Sequence, residues 1–368
     1  MPIRFPSHVL SLKPYVPGKP IEEVERELGI HGSIKLASNE NPIGPSPLAL
    51  ESIAGELSNL HRYPEGSGIH LKEALARKHG VSPNQIVLGN GSNEAIELLA
   101  RAVLSPGDEA VMGDPSFVVY ALVTQAVGAR LVKVPLREGV HDLPAMAGAV
   151  TEKTRIVFVA NPNNPTGTAN GAREVESLMS ALPADVVAAF DEAYAEYVGR
   201  PDYPDTVRYV REGRPAIVFR TFSKIYGLAG IRIGYGVTTP EIADVLERVR
   251  QPFNTSRLAQ TAALAALSDE AHVARSRRVN EEGKAFLSGE FRRMGVSFYP
   301  TEANFFYLPL GWRSAKDLSD ALLRKGVIVR PMGPAIRVTI GLPEENKRFI
   351  EALGPLWAGG ESGREFSP

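Results

Sequence analysis

Residues 216–224 read Ala216-Ile217-Val218-Phe219-Arg220-Thr221-Phe222-Ser223-Lys224, and the chain runs on through Gly227-Leu228-Ala229-Gly230-Ile231-Arg232. The apolar run 216–219 reads as a buried strand, so Lys224 emerges at its carboxyl end, where open α/β sheets place their ligands. An amine held there can form a Schiff base with a carbonyl, provided desolvation or a neighbouring cation lowers its pKa. A lone Ser-Lys pair equally suits a solvated surface lysine, so the rest of the chain must decide. Outward from this stretch, short apolar runs at 85–88, 110–112, 131–134, 155–160, 186–190 and 231–237 alternate with segments of helical periodicity. Such alternation implies an α/β fold with a mainly parallel seven-stranded sheet covered by helices.

The chain has 368 residues, long enough for one large domain and a smaller one. Its 43% hydrophobic and 23% charged content is ordinary globular usage and argues against disorder. Lys plus Arg number 41 and Asp plus Glu 42, so the bulk charge favours neither nucleic acid nor an anionic membrane. Without cysteine there is no disulfide, thiolate nucleophile or cysteine metal site. Seven histidines occur, none with the spacing of a zinc motif, and no metal is expected. The start, Met1-Pro2-Ile3-Arg4-Phe5-Pro6, lacks an apolar leader and no segment reaches membrane-crossing length, which predicts a cytoplasmic protein.

Residues 1–45, rich in proline around one helical pattern at 21–28, read as an arm joining the small domain. Residues 46–255 read as the large domain and 256–358 as a small α+β domain. The latter begins with a long helical stretch at 258–294, followed by strand signals at 304–308, 327–330 and 336–340. The tail 359–368 reads as frayed.

Four further stretches carry chemistry. Gly89-Asn90-Gly91-Ser92-Asn93-Glu94 follows a strand and opens an amphipathic helix, a place that attracts phosphate, although an ordinary serine-capped turn reads the same way. The third glycine of a dinucleotide fingerprint is replaced by Glu94, which disfavours a nicotinamide oxidoreductase. Asn161-Pro162-Asn163-Asn164-Pro165-Thr166-Gly167 fixes an irregular loop at another strand end, able to aim an amide at a ligand or to serve as a plain connection. Val186 to Phe190 leads into Asp191-Glu192-Ala193-Tyr194, where the acid either faces a protonated ring nitrogen or caps a helix. Arg337 sits in the apolar run Ile336 to Ile340, where an arginine usually binds an anion.

In this order, the phosphate-type helix start, asparagine loop, acid, Ser-Lys strand end and arginine resemble the fold-type I aminotransferases that use pyridoxal 5'-phosphate. The resemblance covers nearly the whole chain. Lys13-Pro14-Tyr15-Val16-Pro17-Gly18, Leu36 to Pro42, Arg62-Tyr63-Pro64 and Pro252-Phe253-Asn254 are similar to the histidinol-phosphate aminotransferase branch.

The resemblance implies that Lys224 holds the cofactor as an internal aldimine and shuttles the proton between Cα and C4'. It further implies that Asp191 pairs with the pyridine nitrogen, that Asn164 and Tyr194 bond the ring's phenolic oxygen, and that Phe117 stacks on the ring. Gly91, Ser92, Asn93, Thr221, Ser223 and Arg232 would hold the phosphate. Tyr63 would reach the cofactor of the other subunit in a homodimer. Tyr15, Asn39, Asn304, Arg330 and Arg337 would line the substrate site. The implied reaction is ping-pong amino transfer between L-histidinol phosphate and 2-oxoglutarate, a step of histidine biosynthesis. An aromatic-amino-acid aminotransferase and a phosphothreonine-type decarboxylase are the nearest alternatives. A regulator that senses pyridoxal phosphate would need a DNA-binding extension, for which the arm is too short. Two departures from the branch stand out: the segment 330–337 is shorter than is usual, and Phe117 replaces the commoner tyrosine.

Overall fold

The structure is a computed structural model that describes residues 3–15, 18–311 and 313–358. The expected frayed tail 359–368 and the motif residues Val16 and Pro17 lie outside the described residues. Twelve strands occur among the described residues: β1 Ile34–Lys35, β2 Ile86–Gly89, β3 Glu109–Asp114, β4 Arg130–Pro135, β5 Thr154–Ala160, β6 Val187–Asp191, β7 Ala216–Thr221, β8 Gly234–Thr238, β9 Phe305–Pro309, β10 Val327–Ile328, β11 Arg330–Met332 and β12 Ala335–Thr339.

Seven of them form one sheet in the order β2-β8-β7-β6-β5-β3-β4, in which β8 alone runs antiparallel to its neighbours. Successive residues of each strand point to opposite faces. Val157, Val159, Phe190 and Val218 therefore enter one hydrophobic cluster, while Ile156, Phe158, Ala189, Ile217 and Phe219 enter another. Helices cover both faces, which is why the strands read as continuous apolar runs. The parallel strands β5, β6 and β7 end together, so the segments after Ala160, Asp191 and Thr221 meet at one edge. Among the described residues no helix is long and apolar enough to cross a membrane.

A third cluster, with Leu287, Phe291, Phe306, Leu308, Val338 and Phe349 at its centre, lies around a second sheet of order β11-β12-β9. Part of the 1–45 segment reaches it: β1 pairs in parallel with β10, and Leu36 is buried in this cluster.

Three expectations shift. The run expected at 231–237 starts as a strand only at Gly234, because Ala229–Ile231 form a 3-10 turn and Arg232 adopts a left-handed φ of 58°. The single helix expected at 258–294 is two, Arg257–Ser268 and Glu270–Arg293, divided at Asp269. Its carboxylate accepts from the His272 N–H at 3.0 Å and from the Ser46 hydroxyl at 2.6 Å, and so caps the second helix. The first of these helices belongs to the large core, since Ala259, Ala262, Ala263 and Ala266 pack with Val218 and Tyr235. Val273 on the second helix still packs against that core and Leu287 is the first residue of the helix in the third cluster, so the change of core falls within Glu270–Arg293 and not at the expected boundary of 255.

Two histidines are held neutral by packing. His141 Nε2 lies 3.1 Å from the Ala160 carbonyl, which can only accept, so this nitrogen carries the hydrogen; burial pushes the ring's pKa down to about 4. His79 contacts the Tyr235 hydroxyl at 2.9 Å, and burial, followed by the charge of Arg220, pushes it down to about 3. Both bind a proton less readily folded than unfolded. Their stabilisation is therefore complete above the unfolded value of about 6.5 and is lost as pH falls toward 4. At pH 5 the two together cost about 4 kcal/mol, so the thermal midpoint should fall by roughly 5 °C between pH 7 and pH 5. A midpoint that stays flat over that interval in a calorimetric series would contradict buried neutral histidines.

Candidate active site

The ends of β5, β6 and β7 meet residues of the arm and of the β11–β12 hairpin around a cavity of about 280 Å³. Lys224 is on its floor. Its Nζ donates to the Ser38 carbonyl at 3.3 Å and lies 5.7 Å from the Tyr194 ring centre. Burial pulls the amine's pKa down to about 8; Arg337 and Arg232 push the same way, against Glu40 and Asp191. An amine so placed has a substantial neutral fraction near neutral pH, as a nucleophile or proton carrier requires.

Asp191, the last residue of β6, is buried. Its carboxylate accepts from the Tyr120 hydroxyl at 2.7 Å and from the Ala193 N–H at 3.2 Å. Burial raises its pKa, while those two donors and Lys224 oppose the rise. The acid therefore faces the cavity with two donors fixing its plane. Tyr120 stacks on Phe158 with ring centres 4.7 Å apart and meets Phe117 edge-on at 5.6 Å, so it holds both the acid and the expected stacking ring.

The asparagine loop divides its labour. Asn161 pairs with the backbone of Asn170, and Asn163 ties Thr166 to the Pro115 carbonyl and the Ser116 hydroxyl. Asn164 alone of the three lines the cavity, its Oδ1 accepting from Arg337 Nη1 at 2.5 Å. Arg337 also donates to the Ala37 carbonyl at 2.8 Å, and its Nε is buried without a partner.

Across the cavity lies the start of the helix Ser92–Val103, which has no side-chain cap. Its first N–H groups remain available for an anion. Arg232 leans over the same point, donating to the Ser223 hydroxyl at 3.3 Å and to the Ala229 carbonyl at 3.1 Å. Gly91 has a φ of 77°, and a Cβ there would lie 2.2 Å from Arg232 Nη2; only glycine lets the guanidinium reach the helix start. Thr221 completes the turn by accepting from the Ser223 N–H at 3.1 Å.

The short segment between the two arginines is a hairpin. Met332 pairs with Ala335 across Gly333 and Pro334, with Gly333 at a φ of 65°. This register sets Arg330 directly opposite Arg337, so both guanidinium groups line the cavity. Two like charges placed opposite each other repel, and an anion between them would relieve that repulsion. The Arg330 guanidinium also lies over the Tyr15 ring at 5.4 Å.

Ser92, Asn93, Phe117, Asn164, Asp191, Tyr194, Thr221, Ser223, Lys224, Arg232, Tyr15, Asn39, Arg330 and Arg337 therefore share one cavity. Asn304 does not line it: it is buried behind Asn39, donating to that residue's carbonyl at 3.1 Å. Tyr63 lies elsewhere, 78% exposed and stacked on Phe253 at 4.6 Å. Sequence reasoning missed Tyr120 and the Ser38 carbonyl. Tyr120 stands one helical turn after Phe117, and a tyrosine in the otherwise apolar run 117–123 was the available signal.

Residues 32–353 match the family model of class I and II aminotransferases. The chain is 50% identical over 356 residues to a histidinol-phosphate aminotransferase of Moorella thermoacetica, covering 95% of this chain and 92% of that one. It is 51% identical over 357 residues to histidinol-phosphate aminotransferase 2 of Pseudomonas fluorescens, covering 95% and 96%. The crystal structure of histidinol-phosphate aminotransferase from Sinorhizobium meliloti in complex with pyridoxal-5'-phosphate superposes with a TM-score of 0.89 at 29% identity, covering 97% of this chain and 98% of that one. The family model spans most of the chain and these relatives are about half identical over nearly all of it, so the chain belongs to the class I and II aminotransferases, in their histidinol-phosphate aminotransferase branch.

Proposed function

We propose that the chain is a pyridoxal 5'-phosphate-dependent transaminase that moves the amino group of L-histidinol phosphate to 2-oxoglutarate. The observation that carries this reading is Lys224, an amine with its pKa drawn down to about 8, in the same cavity as a buried acid and a glycine-walled anion cradle.

The residues fit the cofactor. The uncapped helix start beside Arg232, kept open by Gly91, suits its phosphate; Asp191 suits a protonated ring nitrogen; Phe117 offers a ring face. When bound, pyridoxal phosphate supplies an electrophilic carbon and a ring that accepts the electrons released at the substrate's α-carbon. Lys224 would hold the group through Nζ, and its amine would take and return the proton at the substrate's α-carbon. Asp191 would hold a proton at the ring nitrogen by charge, and Asn164 and Tyr194 would orient the ring through its phenolic oxygen. Arg330 and Arg337, set opposite each other by the hairpin, bind the oxyanion of either substrate. A guanidinium fork accepts carboxylate and phosphate alike, which lets one site serve both half-reactions.

Within this reading the active unit is a homodimer in the cytoplasm, with Tyr63 reaching the cofactor phosphate of the other subunit. The exposure of Leu57, Leu60, Tyr63 and Phe253 supports a covered face at that place.

Purified protein supplied with pyridoxal phosphate, 2-oxoglutarate and, separately, histidinol phosphate, phenylalanine or threonine phosphate tests the assignment. Glutamate should form with the highest kcat/KM from histidinol phosphate. Preference for phenylalanine, carbon dioxide released from threonine phosphate, or no glutamate from any donor would overturn it.

A further inference from the structure

Thr339, the last residue of β12, has no place in the reading above, yet it is buried against the site. Its hydroxyl accepts from the Asn39 backbone N–H at 2.9 Å and donates to Asn39 Oδ1 at 3.2 Å. The Asn39 amide in turn donates through Nδ2 to the Tyr194 hydroxyl at 2.9 Å. All three side chains are nearly inaccessible, at 3%, 1% and 4% exposure.

Each link fixes the direction of the next. Asn39 holds a left-handed φ of 56°, a conformation asparagine tolerates better than most residues, and the Asn304 amide grips its carbonyl at 3.1 Å. The Thr339 proton, buried, requires an acceptor, and Oδ1 of Asn39 is that acceptor. With Oδ1 so committed, only the NH2 end of the amide faces Tyr194. The phenol oxygen therefore accepts from Asn39, and its own proton points elsewhere, toward the cavity that Tyr194 lines. Were the amide reversed, the phenol would spend its proton on Asn39 Oδ1, and the Thr339 proton would be left buried without an acceptor.

We propose that Thr339 is a positioning residue: through Asn39 it fixes the Tyr194 hydroxyl as a hydrogen-bond donor into the active-site cavity, toward the ligand oxygen seated there. This inference rests on the transaminase reading, in which that oxygen is the phenolic oxygen of pyridoxal phosphate. Donation by Tyr194 stabilises the anionic form of that oxygen. Losing it should raise the pH at which the bound chromophore changes its absorbance band.

The test is a spectrophotometric pH titration of the holoenzyme without substrate, comparing wild type, Thr339→Val, Thr339→Ser, Tyr194→Phe and the double variant Thr339→Val/Tyr194→Phe. Valine matches threonine in shape and lacks the hydroxyl. Thr339→Val should raise the midpoint by about one pH unit, the equivalent of one hydrogen bond to a charged group. Thr339→Ser should keep the wild-type midpoint, and the double variant should titrate like Tyr194→Phe alone, because the relay acts only through the phenol. A wild-type midpoint in Thr339→Val, or a further shift when it is added to Tyr194→Phe, would overturn the relay. Should Thr339→Val not fold, Asn39→Gly, which suits the left-handed backbone and removes the amide, must show the same rise and the same absence of effect in the Tyr194→Phe background. A wild-type protein that takes up no chromophore would instead refute the cofactor reading on which the relay rests.

Discussion

Replacing Lys224 by alanine should lower kcat for glutamate formation by at least about 10³-fold while leaving the thermal midpoint within a few degrees of wild type. The first expectation follows from its double duty as anchor and proton carrier, since a positioned acid–base group alone contributes about 10² to 10⁴. The second follows from its surroundings. Nζ has one hydrogen bond, of 3.3 Å to the Ser38 carbonyl, and burial already works against its charge. Removing a desolvated cation held so loosely costs little folding energy. A purely structural lysine would give the opposite pattern, with activity following the fraction folded. Steady-state kinetics and a melting curve on the same preparation separate the two, and a loss below tenfold would contradict the assigned role.

Asp191→Asn should lower kcat by about 10² to 10³. Asparagine keeps the shape, but Tyr120 and Ala193 donate to different carboxylate oxygens; with Oδ1 accepting from the Ala193 N–H, the amide turns its NH2 to the Tyr120 oxygen, so the change removes the charge and reverses that one hydrogen bond. A carboxylate about 4 Å from a protonated ring nitrogen contributes roughly 4 kcal/mol at an effective dielectric of 20, which caps the loss near 10³. The folded protein should keep a thermal midpoint within a few degrees of wild type, because the neutral amide escapes the desolvation that raises the acid's pKa while the Tyr120 proton loses its acceptor. Less than a tenfold effect on kcat would mean that Asp191 does not hold the proton and acts only through its hydrogen bonds.

The strand ends were legible in the sequence because both faces of the sheet are covered, so β5, β6 and β7 read as unbroken apolar runs and the polar residues that follow them stand out. Lys224, Asp191 and Asn164 each follow such a run, and the parallel register brings them together. What the sequence concealed depends on contacts distant along the chain. Asn39 looked like a wall of the substrate site, but its bonds to Thr339 lie 300 positions apart in sequence, and no local pattern encodes them. Asn304 likewise works from behind Asn39. The division of the long helical stretch at Asp269 was hidden because aspartate serves as readily inside a polar helix face as at a cap; Ser46, far away in sequence, decides it. The shortened segment 330–337 was visible as a departure, whereas its consequence, two arginines facing each other across a tight hairpin, needed the strand register.

Reduction of the holoenzyme with borohydride, followed by proteolysis and mass mapping, locates the lysine that carries the cofactor. The protein should be yellow, bleach on reduction and carry one covalent pyridoxyl phosphate per chain, on the peptide containing Lys224 and on that residue. A modification confined to another lysine, or a protein that takes up no chromophore and gains no mass, would contradict that assignment.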